Sequence, residues 1–192
     1  MGRNFLVCAS MLLGLAGCTG SMEPKDFAGK EPRFVLEEYF EGKTKAWGMF
    51  HDRFGSLRRE FVVDITGKWD GTTLTLDELF EYADGEKDRR IWSIKKVNDN
   101  TYTGTAPDII GTAQGQAFGN ALNWVYEMDL KVGSGSWRVK FDDWMFLQPG
   151  GVLLNRATVT KYGLQLGIVT LSFSRVDDGG LNATNQMQRA AE

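Results

Sequence analysis

Four charged residues fall where the sequence pattern predicts buried apolar strand faces. Glu78 has the same parity as the aromatic residues of LTLDELFEY, and Asp143 shares the parity of the valine and the first phenylalanine of WRVKFDDWMFL. Arg90 is in phase with the tryptophan of RRIWSI, and either Asn155 or Arg156 must point inward in VLLNRATV, depending on strand register. Because an isolated buried charge is costly, these groups must pair with one another or bind something.

Charges of both signs on these faces are compatible with three kinds of chemistry. An internal salt-bridge cluster would fix the strand register. A head-group site would use Arg90 or Arg156 to hold a carboxylate or a phosphate. Paired carboxyl groups, Glu78 with Asp143, could instead perform acid–base catalysis, which depends on a separation that the sequence does not give. The sequence favours the cluster over the head-group site, and both over catalysis.

The candidate ligand-binding residues combine these charges with aromatic residues on the same predicted faces. They are Glu78, Arg90, Trp92, Trp124, Tyr126, Phe141, Asp143 and Arg156. A fatty-acid-like ligand would lay its chain against the aromatic residues and gain about 0.8 kcal/mol per buried CH₂. Register is decisive here, because a two-residue turn at Asp84-Gly85 would place Ile91, and not Arg90, on the face of Glu78.

Other catalytic or metal-binding constellations have little support in the sequence. His51 is the single histidine, no Gly-x-Ser-x-Gly motif is present, and His51 is better explained as a residue at a hairpin end. A site with two or three histidine ligands for zinc is excluded. Asp70, Asp84 and Asp99 could bind calcium, but turn formation accounts for each of them. The sequence therefore predicts no metal and no cofactor, and it favours a binding protein over an enzyme.

The first residues of the chain have the pattern of a secretory signal. Arg3 precedes an apolar run from Phe5 to Leu15, which is too short for the ~20 residues that span a bilayer as a helix. The run ends in LAGC, which resembles the bacterial lipobox. The resemblance implies that residues 1–17 are removed and that Cys18 is acylated, since two or more acyl chains anchor a protein stably. Thr19 then favours the outer membrane, on the periplasmic face.

The composition also limits the possible cysteine chemistry, the partners and the boundaries of the domain. Loss of the signal peptide and acylation of Cys18 leave no free thiol, so disulfides and cysteine metal sites are excluded. With 22 Lys and Arg against 25 Asp and Glu and no basic run, nucleic acid is not an expected partner. Residues 18–33 are predicted to form a flexible tether and residues 177–192 a disordered tail. One domain is expected over residues 34–176.

Alternation of apolar and polar residues predicts an all-β domain. FVVDITGKW and LNWVYEMDL alternate with a period of two, and turn signals separate such runs. Only Leu36, Tyr39 and Phe40 have helical spacing, which predicts a short helix that ends at Gly42. The predicted strands cover residues 44–52, 57–69, 72–82, 88–97, 101–112, 121–132, 137–147, 152–161 and 164–175.

An antiparallel meander of this length is best closed into a barrel. Without long helices between strands, parallel crossovers are not expected. Closure removes the exposed sheet edges, which favours a barrel of eight to ten strands over a two-sheet sandwich. A small barrel is either filled by its own side chains or holds one ligand, as in lipocalins.

Several segments resemble a family of Gram-negative lipoproteins known as domain of unknown function 3833. These segments are LEEYFEGKTKAWGMFHDRFG, TGKWDG, DELFEYADGEKDRRIW, YTGTAPDIIGTAQGQAFGNALNW, FDDWMFL and LLNRATVTKYGL. The resemblance implies a periplasm-facing lipoprotein with a lipocalin-like barrel, and it carries no established activity or catalytic residues. Genes of this family often lie beside genes for fatty-acid-modifying enzymes, which favours a lipid as ligand.

Three functions follow from these patterns. The first is binding of a lipid or small hydrophobic ligand inside the barrel. The second is a structural or accessory envelope role, with a filled barrel and unidentified protein partners. The third is an enzyme that acts on fatty acyl groups through the interior charges. Abundant aromatic residues favour a filled barrel, whereas glycine and alanine at 111–121 favour an open mouth, so the interior volume separates the first two functions.

Overall fold

The computed structural model describes residues 21–133 and 135–176, which form ten antiparallel strands and two short helical segments. A 3-10 helix (Pro24–Phe27) and helix α1 (Leu36–Phe40) precede the strands. The strands are β1 (Gly42–Asp52), β2 (Leu57–Trp69), β3 (Thr73–Tyr82), β4 (Lys87–Asn98), β5 (Thr101–Thr105), β6 (Ile109–Phe118), β7 (Ala121–Val132), β8 (Gly135–Leu147), β9 (Leu153–Lys161) and β10 (Leu164–Arg175).

The sheet is a closed barrel in which each strand pairs with the next and β1 pairs with β10. The β1–β10 ladder runs from Thr44 opposite Arg175 to Asp52 opposite Gly167, so both edges of the meander are satisfied. Side chains that alternate along each strand point into the barrel or to solvent. In β2, for example, Val63 and Ile65 are buried while Asp64 is exposed. The predicted all-β barrel of eight to ten strands is confirmed.

One predicted strand is wrong. Residues 101–112 contain all of one strand, β5, and the start of the next, β6, with a turn at Ala106-Pro107-Asp108 between them. Proline has no backbone N–H to donate to a ladder, so the strand stops before it, and the Ile109 amide donates to the Ala106 carbonyl to close the turn. A bulge in β6 follows, where Gly111 adopts a positive φ of 69°.

Hairpin connections alternate between the two ends of the barrel. At the end that we name the closed end lie α1 and the turns at residues 70–72, 99–100, 119–120 and 148–152. At the opposite end, the open end, lie the connections at residues 53–56, 83–86, 106–108 and 162–163 and the β7–β8 turn. The two ends differ because a helix covers only the first.

Helix α1 plugs the closed end, as the spacing of its apolar residues predicts. Leu36, Tyr39 and Phe40 are buried, and the Tyr39 hydroxyl donates to the backbone carbonyls of Gly151 and Phe173 at 3.1 and 3.2 Å. A second contact fixes the helix. Gly67 of β2 has no side chain, so the Phe40 carbonyl can approach the sheet closely. Burial of these three side chains stabilises the plug by about 1.5–3 kcal/mol each.

The predicted flexible tether needs correction from Pro24 onward. The 3-10 helix packs on β6 and β7, and the Phe27 ring contacts Trp144 and Phe146 at centroid distances of 5.8 and 5.3 Å. The Phe34 amide donates to the Gly119 carbonyl at the closed end. Pro24 is buried as well, so a few apolar contacts hold this otherwise polar segment on the barrel. In the described part of the chain, no helix is long and apolar enough to cross a membrane.

The predicted signal peptide, the lipidation site Cys18 and the predicted tail over 177–192 lie outside the described residues.

Candidate functional site

The interior of the barrel contains a cavity of about 570 Å³. Leu36 and Phe40 form its floor at the closed end, and Lys131 and Trp137 lie at its mouth at the open end. Most other lining side chains are aliphatic or aromatic. Ligand pockets typically measure about 300–1,000 Å³, so this barrel is hollow on the scale of a small-molecule site.

Aromatic residues from neighbouring strands form one wall of the cavity. Trp92 on β4 contacts Trp124 and Tyr126 on β7 at centroid distances of 5.7 and 5.4 Å. Tyr126 stacks on Phe141 of β8, with 5.1 Å between centroids and 3° between ring planes. All four residues line the cavity, as their parity predicts. Because each ring is held by another ring, this wall can accept an apolar chain without rearrangement.

Two glycines make room for the largest of these rings. A Cβ atom at Gly104 on β5 or at Gly115 on β6 would overlap the indole of Trp124. The glycines near 111–121 were expected to open a mouth. Gly115 instead lies where the indole covers the inner face of the sheet, so it shapes the wall.

The charged pair Glu78 and Arg90 faces the cavity from adjacent strands. Glu78 on β3 lies directly opposite Arg90 on β4, because the hairpin closes with the Tyr82 amide on the Glu86 carbonyl and not with a two-residue turn. Arg90 Nη1 lies 4.0 Å from Glu78 Oε2. Their side chains are 19% and 15% exposed, respectively. The register question raised by the sequence is thus settled in favour of Arg90.

Arg90 is bound more tightly to a residue that the sequence did not indicate. Its Nε and Nη2 atoms donate to the two carboxylate oxygens of Asp108, with Nη2–Oδ2 at 2.7 Å and Nε–Oδ1 at 3.1 Å. Asp108 lies in the β5–β6 turn, where no periodic pattern applies. A bidentate pair of this geometry is among the strongest that a guanidinium makes.

Asp143 forms a second polar group on the opposite side of the cavity lining. It is 6% exposed, and the Tyr126 hydroxyl and the Asn155 amide are its hydrogen-bonding partners. Asn155 is 3% exposed, and its Oδ1 atom has no hydrogen-bond donor among the described residues. Acceptors therefore outnumber donors in this group.

Burial raises the pKa of both interior carboxyl groups. Desolvation raises the pKa of Glu78 to about 7, although the Arg90 charge acts in the opposite direction. Desolvation likewise raises the pKa of Asp143 to about 7, against the hydrogen bonds from Asn155 and Tyr126. Each of the two carboxyl groups therefore gains or loses its proton near neutral pH.

Arg156 does not reach the cavity. It is exposed on the outer face of β9, and its Nη1 donates to the Thr158 hydroxyl at 3.5 Å. Its neighbour Asn155 points inward, so the alternative left open by the sequence is resolved and the prediction of an interior Arg156 is wrong. In adjacent positions of one strand only one side chain can face the core, and the strand pairs with β8 so that Asn155 lies opposite Met145.

A further charged cluster joins α1 to the barrel wall. Glu37 is 7% exposed, it accepts a hydrogen bond from the Tyr102 hydroxyl at 2.9 Å, and it pairs with Lys96. Its pKa is lowered by these partners against the effect of burial. Both partners come from the wall and the carboxylate comes from the plug, so this cluster holds the closed end shut.

Comparisons with known proteins agree with this architecture. A family model described as "Protein of unknown function (DUF3833)" matches residues 12–175. No curated protein matches the chain. A solved structure of an S-type phycobiliprotein lyase from Guillardia theta is similar in fold, with a TM-score of 0.54 and 12% sequence identity over 76% of this chain and 95% of the lyase chain. The chain belongs to the DUF3833 family, and the resemblance seen in its sequence is confirmed.

Proposed function

We propose that this member of the DUF3833 family binds a lipid or another small hydrophobic ligand inside its barrel. The observation that carries the proposal is the apolar cavity of about 570 Å³, closed by α1 at one end and reaching the surface at the other. An alkyl chain that enters it gains about 0.8 kcal/mol for each CH₂ removed from water. The aromatic wall adds rigid contact area at little entropic cost.

The two alternatives are less well supported by the site. A purely structural barrel would be filled by its own side chains, and this one retains a cavity of ligand size. An enzyme acting on acyl groups could use Glu78 and Asp143, whose pKa values lie near 7. The cavity lining of the described residues, however, contains no serine, threonine, cysteine or histidine to act as a nucleophile or imidazole base.

The proposed location is the periplasmic face of the outer membrane, through acylated Cys18. Packing of the chain on the barrel from Pro24 leaves five residues, 19–23, between the acylated cysteine and the domain, and this stretch spans at most about 20 Å. The closed end would then lie near the membrane and the open end would point away from it. Cys18→Ser should remain unprocessed at this site and unlabelled by palmitate analogues, and normal labelling would contradict the anchor.

The binding proposal is tested by filling the cavity. Ala157 is 1% exposed and lines the cavity, so Ala157→Phe places a ring inside it. Leu154→Phe is the matched control, because Leu154 lies on the same strand and is 44% exposed. We expect wild type and control to bind N-phenylnaphthylamine with enhanced fluorescence. The filled variant should bind it about tenfold more weakly, the equivalent of two buried CH₂ groups.

Thermal unfolding of all three proteins shows whether the added ring disturbs the fold. A second interior variant, Val159→Phe, covers the case in which Ala157→Phe does not fold, since Val159 also lines the cavity. Equal probe binding by wild type and by a folded cavity-filled variant would reject the interior site. Absence of probe binding by wild type would reject the proposed function.

A further inference from the structure

The cation inside the barrel is already neutralised. Arg90 donates two hydrogen bonds to Asp108, with the shorter at 2.7 Å, and lies 4.0 Å from Glu78. It therefore faces two carboxyl groups before any ligand enters. A ligand carboxylate or phosphate would have to displace Asp108 from a bidentate pair and would then lie beside Glu78.

Among the other polar groups that line the cavity, hydrogen-bond acceptors outnumber hydrogen-bond donors. Asp143 is buried, lines the cavity and takes the hydrogen bonds of the Tyr126 hydroxyl and the Asn155 amide. A hydrogen bond from Trp92 acts to lower the pKa of Glu78 against the effect of burial. The Asn155 Nδ2 also donates to the Trp144 carbonyl at 3.5 Å, whereas the buried Oδ1 of Asn155 has no donor among the described residues. An incoming acceptor would find only Arg90 Nη1, which already lies 4.0 Å from Glu78 Oε2, whereas an incoming donor would find the carboxyl groups of Glu78 and Asp143 and the Oδ1 of Asn155.

Cations at the mouth do not change this balance. Arg58 pairs with Asp52 at 2.6 Å, and Arg59 pairs with Asp84 and Glu86. Lys131 at the mouth is exposed to solvent, where an ion pair is worth about 0–1 kcal/mol.

We propose that the ligand is an amphiphile whose polar end is an uncharged or cationic hydrogen-bond donor, such as a hydroxyl or an ammonium group, and not a carboxylate or a phosphate. This inference rests on the proposed function and specifies its ligand class. The apolar chain would lie against Trp124 and Phe141, and the donor would reach the carboxyl groups of Glu78 and Asp143. The head-group site that the sequence suggested for Arg90 is replaced by a site of opposite preference.

The test compares four ligands that share one alkyl chain. Dodecanol, dodecylamine, methyl dodecanoate and dodecanoate are titrated into the protein by calorimetry at about pH 8, above the pKa of about 7 of Glu78 and Asp143. We expect the alcohol and the amine to bind more tightly than the ester. The carboxylate should bind about tenfold more weakly than the ester, because it meets the like charges of Glu78 and Asp143 inside the cavity.

One substitution should reverse the preference. Asp108→Asn removes the carboxylate that neutralises Arg90, so dodecanoate should gain about tenfold in affinity relative to the ester. Asp129→Asn is the matched control, because Asp129 pairs with Arg138 on the exposed surface at 3.1 Å and does not line the cavity. The control should leave the ratio of the two affinities unchanged.

The outcomes separate the inference from the proposed function. Wild type that binds dodecanoate more tightly than the ester would overturn the inference and leave an interior binding site in place. Binding of none of the four ligands would overturn both. The wild-type comparison needs no variant, so an unstable Asp108→Asn protein would not prevent a decision.

Discussion

Replacement of Glu78 by glutamine should flatten the dependence of stability on pH. Glu78 has a pKa of about 7 in the folded protein, against an ordinary value of 4.5, because the folded barrel removes its carboxyl group from water. At about 1.4 kcal/mol per pKa unit, the difference is worth about 3 kcal/mol. Below the unfolded pKa both states hold the proton and the term vanishes. As pH rises toward the folded pKa, only the folded state still holds it, so stability falls until the loss is complete.

The measurement is the free energy of unfolding in urea at several values between about pH 4.5 and pH 8. Wild type should lose stability across this window, and Glu78→Gln should lose about 3 kcal/mol less. The residual slope belongs to Asp143, whose pKa is raised in the same direction. Glu81→Gln is the control, since Glu81 lies on the outer face of the same strand with 67% of its side chain exposed. A constant offset between wild type and Glu78→Gln across the window would refute the reasoning.

Two further predictions concern the plug at the closed end. Gly67→Ala should cost about 1–3 kcal/mol, because its Cβ would overlap the Phe40 carbonyl, whereas Gly135→Ala, with its nearest atom at 3.9 Å, should be tolerated. Equal unfolding midpoints for the two variants would show that α1 does not pack there. Tyr102→Phe should cost about 1.5–3 kcal/mol, since it removes the hydrogen bond to the Glu37 carboxylate. The exposed Tyr162→Phe is its control, and an unchanged urea midpoint for Tyr102→Phe would contradict a role for this bond in closing the barrel.

The periodicity of apolar residues along the strands is sufficient to predict most of the fold and part of the site. Parity alone assigns Glu78 and Asp143 to the inner face, because each lies between large apolar residues of the same phase. It could not choose between Asn155 and Arg156, since neighbouring residues of a strand exchange faces when the register moves by one. That choice depends on the pairing of β9 with β8, which is a tertiary property.

The features that the sequence did not reveal lie in turns and in the N-terminal segment. Pro107 ends β5, but the β-forming residues on both sides of it favour one continuous strand. Asp108 contacts Arg90 only because β4 and the β5–β6 turn come together at the open end. Phe27 is one aromatic residue among polar neighbours, which composition alone assigns to a flexible tether. The one signal for Asp108 is that an interior Arg90 requires an acidic partner, and the sequence does not show that this turn supplies it.

The central claim is that an apolar ligand occupies the interior of the barrel. The most direct test follows the indole N–H resonances of the tryptophans by NMR while dodecanol is added. Trp92 and Trp124 line the cavity, whereas Trp47 is 49% exposed on the outside and Trp144 contacts Phe27 on the outer surface. We predict saturable shifts of the two interior indoles and unchanged positions for the two outer ones. Shifts confined to Trp47 and Trp144, or no saturable shift at any indole, would contradict the claim.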